Sequence, residues 1–98
     1  WYNALRIMSH FAERFGHGDM RMHIANLSAN GFMIDDAQGL SRGDRIIVRL
    51  PVIGRIEAYC IWSRDNRAGF QFERIIRIDD FLALIDTLQP NPRLRKLR

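Results

Sequence analysis

The chain has little cysteine, with Cys60 as the single thiol among 98 residues. One cysteine cannot form an intrachain disulfide, and alone it cannot build a cysteine-based metal site. No apolar run reaches the length of a membrane span, and residues 1–4 do not resemble a signal peptide. These absences predict a soluble, cytoplasmic protein. Cys60 lies inside a predicted strand, so we expect it to be buried and unreactive.

The main part of the chain also lacks an excess of charge of either sign. The formal net charge is +4, and four positive residues follow the last proline: Arg93, Arg95, Lys96 and Arg98. The remaining residues therefore carry eleven Lys and Arg against eleven Asp and Glu. The chain is divided into a lead-in over residues 1–9, a folded domain over 10–88 and a basic tail over 89–98, and the part before the tail charges is neutral. A neutral domain argues against nucleic-acid binding, which requires positive charge on the folded surface.

Short segments of alternating apolar and polar residues, separated by turn signals, predict β-strands. These segments cover residues 10–15, 20–24, 32–34, 45–50, 55–62 and 68–72. Apolar residues at helical spacing predict one C-terminal helix over Asp79–Leu88, with an inward stripe of Phe81, Leu82, Leu84, Ile85 and Leu88. The alternatives are an antiparallel barrel and a sandwich. We favour the barrel, because closure protects the edges of a small sheet.

The polar stretch Asn26–Gly31 joins two of the predicted strands. Asn26 and Ser28 can bond to nearby backbone groups and still offer an amide or a hydroxyl to a ligand. Gly31 permits a positive φ or the close approach of another group. The stretch is therefore interpreted either as a polar turn or as a turn that also binds a ligand.

Asn26, Ser28 and Gly31 match the Asp/Asn-x-Ser-x-x-Gly motif of the PilZ domain family. Further along the chain, Gly69-Phe70-Gln71-Phe72 is similar to the ending of that domain. Over residues 10–88 the chain therefore resembles PilZ domains. The resemblance implies an all-β fold, a small six-stranded antiparallel β-barrel, with one C-terminal helix. In the ligand-binding members it also implies recognition of the bacterial second messenger cyclic di-GMP.

The chain departs from the binding members of this family at an upstream pair of arginines. Those members carry two arginines four residues apart, whose guanidinium groups hold guanine edges and phosphates. In this chain the residues four positions after Arg6, Arg14 and Arg21 are His10, Gly18 and Ala25. Arg6 with His10 is the nearest remnant, and a neutral histidine cannot replace a fork of charged donors. The candidate cyclic di-GMP ligands are then Asn26, Ser28, Gly31, Arg6 and His10.

Three functions remain open. The favoured one is a signalling adaptor of the cyclic di-GMP receptor family, in which nucleotide binding is weak or lost and an unidentified protein partner is contacted. The alternative is a genuine cyclic di-GMP receptor, in which Asn26, Ser28 and Arg6 bind the ligand, helped by Arg14 or by an arginine of a second subunit. The third is a nucleic-acid-binding barrel with a basic tail. It is disfavoured because Phe11, Trp62, Phe70 and Phe72 are predicted to face inward.

No pattern of catalytic or metal-binding residues stands out. Ser28 has no histidine or lysine partner that the sequence reveals, and no glycine-rich phosphate loop occurs. His10, His17 and His23 lack the close spacing of metal ligands. We therefore expect neither an enzyme nor a bound metal or cofactor.

Overall fold

The computed structural model describes residues 8–14, 18–37 and 39–88. In these ranges six strands precede one helix. The elements are β1 Met8–Arg14, β2 Gly18–Leu27, β3 Gly31–Ile34, β4 Arg45–Leu50, β5 Gly54–Arg64, β6 Arg67–Phe72 and α1 Ile78–Leu88. The predicted strands and helix are confirmed. β1 begins at Met8, two residues before its predicted start, and α1 includes Ile78.

The six strands form a closed antiparallel barrel in the order β1-β2-β3-β6-β5-β4. Closure occurs between β1 and β4, where Ala12 pairs with Val48 and Arg14 with Ile46. Each of the six described strands therefore has a neighbour on both sides, which protects the edges of the sheet. The predicted barrel is confirmed, and the sandwich is not.

The interior of the barrel is filled by the inward side chains of the strands. Three phenylalanines form its aromatic part: the rings of Phe32 and Phe70 stack at a centroid distance of 5.0 Å, and Phe72 lies 5.5 Å from Phe32. On β2, Met22 and Ile24 are buried while Arg21 is exposed and His23 is half-buried. This is the predicted alternation of a strand with one face on the core.

Helix α1 contributes one face to the same core. Phe81 and Leu84 are fully buried, and Ile85 and Leu88 pack against the core from its margin. The prediction that Leu82 belongs to the inward stripe is wrong, since its side chain is 49% exposed. With 11 residues, α1 is much shorter than a membrane span, and no other helix occurs in the described ranges.

The turn between β4 and β5 holds a valine in an unfavourable backbone conformation. The amide of Ile53 donates to the carbonyl of Pro51 at 2.7 Å, and the intervening Val52 has φ of 68°. Positive φ is strained for any L-residue and most of all for a β-branched one. Val52 is also exposed, so its side chain gains little from packing.

We predict that Val52→Gly is more stable than Val52→Ala by about 0.5–1 kcal/mol. Only glycine releases the backbone strain, and part of this gain is offset because glycine increases the conformational entropy of the unfolded chain. Both variants remove the same exposed side chain, so the comparison isolates the backbone. Urea unfolding of the two variants measures the difference. A lower free energy of unfolding for the glycine variant would contradict a strained turn.

Candidate functional site

A break in the alternation of β2 places Asn26 on the outer surface of the barrel. The strand pairing shifts register between Ile24 and Asn26. Ile24 and Leu27 are both fully buried in the core, so two residues separate two inward positions where a regular strand has one. Such a β-bulge turns the following side chain to the other face. Asn26 therefore faces outward and is half-buried.

A second bulge has the same effect on β5. The register shifts between Cys60 and Trp62, so that Cys60 pairs with Phe70 inside the barrel while Trp62 pairs with Gly69. Ile61 is the additional residue and is 42% exposed. The prediction that Trp62 faces inward with Cys60 is therefore wrong. Trp62 lies on the outer surface.

One row of directly paired residues crosses the outside of the barrel at this level. Asn26 pairs with Met33, Met33 with Gly69, and Gly69 with Trp62. The indole of Trp62 covers Gly69 so closely that a Cβ at this position would overlap the ring. These four residues border a cleft of about 270 Å³, which we call the Asn26 cleft. It offers one amide side chain beside an aromatic surface.

Sequence reasoning missed Trp62 as a candidate site residue. A usable signal is the run of five consecutive residues Ala58–Trp62, none of which is charged. In a regular strand with one solvated face, such a run places large apolar groups in water. A bulge within the run keeps Cys60 inside, leaves Ile61 exposed and turns Trp62 outward, where its indole covers the backbone at Gly69.

Ser28 is a buried residue of the β2–β3 turn, with 1% of its surface exposed. Its hydroxyl donates to the carbonyl of Gly31 and accepts from the amides of Asn30 and Gly31, each at 3.3 Å. One donor and two acceptor sites are all that a serine hydroxyl has. In this structure the hydroxyl therefore serves the turn and has no bond left for a ligand.

Gly31 is required by close packing between strands. A Cβ at Gly31 would overlap the carbonyl oxygen of Phe70 on the neighbouring strand β6. Its φ lies outside the left-handed region, so of the two reasons considered for this glycine, close approach is the one that applies. The turn is further held by β6 and the segment that follows it: the amides of Phe72 and Ile76 donate to Asn30 and Ala29.

The upstream candidates cannot be placed in the cleft. Arg6 precedes the described residues, and the side chain of His10 lies outside what the structure describes. His23 is on the outer face as predicted, where its Nδ1 lies 3.8 Å from a carboxylate oxygen of Asp35. Within the described parts of the chain, no group of three His, Cys, Asp or Glu residues could hold a metal ion.

Cys60, the single thiol, is buried as expected. Burial raises the pKa of this thiol; a backbone hydrogen bond at Trp62 opposes the rise, and the nearby carboxylate of Asp44 adds to it. A raised pKa leaves the thiol protonated at neutral pH, and the thiolate is the nucleophilic form. Cys60 is therefore suited to packing rather than to nucleophilic chemistry.

The closed barrel, its C-terminal helix and the position of the Asn-x-Ser-x-x-Gly turn agree with a comparison against family models. The model of the PilZ domain matches residues 5–88, which is most of the chain. The chain belongs to the PilZ domain family. No curated protein matches it. The family is of the cyclic di-GMP-binding type, so it supplies the ligand class against which the Asn26 cleft can be judged.

The turn of this PilZ domain yields a prediction about stability. Ser28→Ala leaves the buried amide of Gly31 and the partly buried amide of Asn30 without their acceptor and should lower the free energy of unfolding by about 1–3 kcal/mol. Gly31→Ala should destabilise at least as much, because its Cβ meets rigid backbone. Urea unfolding measures both. Ser41→Ala is the matched control, since Ser41 is exposed and its change should stay within about 0.5 kcal/mol. If Ser28→Ala and Ser41→Ala lowered the free energy of unfolding equally, a structural role of Ser28 would be contradicted.

The Gly69–Trp62 contact yields a second prediction. Gly69→Ala should displace the indole into water, because the added Cβ occupies its place. In a Trp1→Phe background, which leaves Trp62 as the single tryptophan, the fluorescence emission should shift to the red. Arg74→Ala, at an exposed residue outside the cleft, is the control and should leave the emission unchanged. An unshifted spectrum for Gly69→Ala would mean that Trp62 does not lie on Gly69.

Proposed function

We propose that this PilZ domain is a non-enzymatic signalling module that acts through protein contacts and binds cyclic di-GMP weakly or not at all. The observation that carries the proposal is the chemistry of the Asn26 cleft. Among the described residues that line it, Asn26 is the one with a polar side chain suited to a base edge, and none is positively charged. Cyclic di-GMP is a dianion and requires cations for its phosphates.

The sequence before β2 also indicates weak binding of cyclic di-GMP. The family's arginine pair is represented by Arg6 with His10. Arginine is preferred at such sites because its planar, permanently charged group donates two parallel hydrogen bonds to a phosphate or a guanine edge. If each lost charged hydrogen bond costs about 1.5–3 kcal/mol, one missing arginine weakens binding by about ten- to more than a hundredfold.

A genuine cyclic di-GMP receptor is the second candidate, and the position of Trp62 favours it. The indole forms one side of the Asn26 cleft. Stacking of a purine base on an aromatic side chain contributes about 1–3 kcal/mol of binding free energy per base. In this case Arg6 supplies the cation that the cleft lacks. Ser28 contributes indirectly, by holding the turn that follows Asn26.

The nucleic-acid-binding alternative has weaker support. Trp62 on the outer face removes one argument against it, because an exposed aromatic surface is what a single strand would stack on. The charge argument remains, since residues outside the C-terminal basic cluster carry equal numbers of positive and negative groups. The tail over 89–98 lies outside the described residues. Steep loss of binding with added salt and on deletion of residues 93–98 would identify this function.

The deciding test is a calorimetric titration of the full chain with cyclic di-GMP near physiological salt, repeated with Asn26→Ala and Arg6→Ala. Arg55→Ala removes an exposed arginine that borders neither Asn26 nor Trp62 and serves as the charge control. We expect no saturable heat at micromolar ligand in any of the four proteins. Thermal unfolding of each variant verifies that it is folded.

Saturable binding at micromolar concentration or tighter would contradict weak binding. If that binding were lost in Asn26→Ala and Arg6→Ala but kept in Arg55→Ala, the domain would be a receptor that uses the Asn26 cleft. If it were lost in Arg6→Ala alone, the ligand would be held at the upstream segment and the cleft would have no part in it.

A further inference from the structure

A second cleft adjoins the Asn26 cleft and shares Ile61 and Trp62 with it. We call it the Arg42–Arg64 cleft. It has a volume of about 500 Å³ and is lined by Ser41, Arg42, Ile61, Trp62, Ser63 and Arg64. Among the described residues, this lining contains two arginines and no carboxylate. The described lining of the neighbouring Asn26 cleft contains no charged residue.

The walls of this cleft are fastened to each other by hydrogen bonds. On one side the β3–β4 loop is held against β5, because Gly43 donates to the carbonyl of Cys60 and Cys60 donates to that of Asp44, each at 2.8 Å. Further along, the hydroxyl of Ser63 donates to the carbonyl of Leu40 at 3.0 Å, and Leu40 is buried. A partner that docks here meets a surface already in its bound shape, which lowers the entropy cost of association.

The two arginines have free charged groups. Both are exposed, and none of the ion pairs among the described residues includes Arg42 or Arg64. A guanidinium group binds a carboxylate or a phosphate through two parallel hydrogen bonds. The two arginines are therefore suited to binding one anionic group each, either a carboxylate or a phosphate.

The apolar part of the lining decides between these two anions. Ile61 lies on the outer face at the β5 bulge and is 42% exposed, and Trp62 lies next to it. An exposed isoleucine gives nothing to a phosphate, whereas an apolar side chain of a protein partner gains by covering it. Tryptophan and arginine are also the residues that contribute most energy at protein interfaces. The indole of Trp62 suits a purine base as well as a protein side chain, so it is the exposed aliphatic Ile61, on which a base does not stack, that favours a protein segment over a nucleotide.

We propose that the Arg42–Arg64 cleft docks a segment of a partner protein in which acidic residues flank an apolar side chain. The apolar group covers Ile61 and the edge of Trp62, and the carboxylates pair with Arg42 and Arg64. This proposal rests on the proposed action through protein contacts and names the surface and the chemistry of that contact.

The test begins with selection of a random peptide display library on the full chain. We expect enrichment of peptides that contain at least two acidic residues, with at least one on each side of an apolar residue. A selected peptide is then titrated against Arg42→Gln/Arg64→Gln and against a control, Arg55→Gln/Arg74→Gln, which removes the same charge from exposed arginines outside both clefts. The first pair should weaken binding at least about tenfold, and the control should remain within about twofold of the parent.

A third variant, Ile61→Ser, tests the apolar contact. This variant should also bind the peptide more weakly, since the exposed surface that the peptide covers becomes polar. In the Trp1→Phe background the fluorescence of Trp62 should respond to the peptide. Thermal unfolding of every variant shows whether a loss of affinity reflects a loss of fold.

Four outcomes would overturn the proposal: no enrichment, enrichment of peptides without acidic residues, equal weakening by the two arginine pairs, or binding that Ile61→Ser leaves unchanged. Titrations with inorganic phosphate and with cyclic di-GMP distinguish a different occupant. If either bound through Arg42 and Arg64 while peptides did not, the cleft would be an anion site. Tight cyclic di-GMP binding that depends on Asn26 instead would contradict the proposed function and leave the peptide result unaffected.

Discussion

The turn from Ser28 to Gly31 is the constraint on which the rest of this barrel depends. The Ser28 hydroxyl closes the turn from inside, and Gly31 lets β3 approach the backbone of β6 closely. The amides of Phe72 and Ile76 then join the end of β6 and the connection to α1 to the same turn. Two of the three motif residues therefore build the fold, and the third, Asn26, is held where a ligand could reach it.

Two bulges determine which side chains the outer surface offers. Each inserts one residue between inward positions, at Ala25 in β2 and at Ile61 in β5, and each turns the next side chain outward. Asn26 and Trp62 consequently lie at opposite ends of one row that crosses four strands. Bulges are common beside functional sites because they redirect a side chain without ending the strand. Here they produce an aromatic and polar surface on the outside of an apolar barrel.

Charge divides this surface into two unlike clefts. The described residues give the Asn26 cleft an amide and an aromatic ring without a cation, and they give the Arg42–Arg64 cleft two cations beside exposed apolar groups. Trp62 borders both. An occupant of one cleft that moves the indole must change the affinity of the other, and thermodynamic linkage requires the effect to be equal in both directions. A module built this way could couple a nucleotide to a partner even with a weak nucleotide site.

Local periodicity was enough to predict the strands and the helix, because it depends on residues close together in the chain, while the resemblance of the turn motif to PilZ domains implied the six-stranded barrel and revealed the missing arginine pair. The sequence also indicated that Cys60, Phe70 and Phe72 face inward. The tertiary structure was needed for three features: the outward position of Trp62, the exposure of Leu82, and the presence of Arg42 and Arg64 in one cleft. A bulge shifts side-chain parity by one residue, and only the partner strand shows where the shift occurs. The two arginines are 22 positions apart in sequence and meet because the β3–β4 loop is fastened to β5.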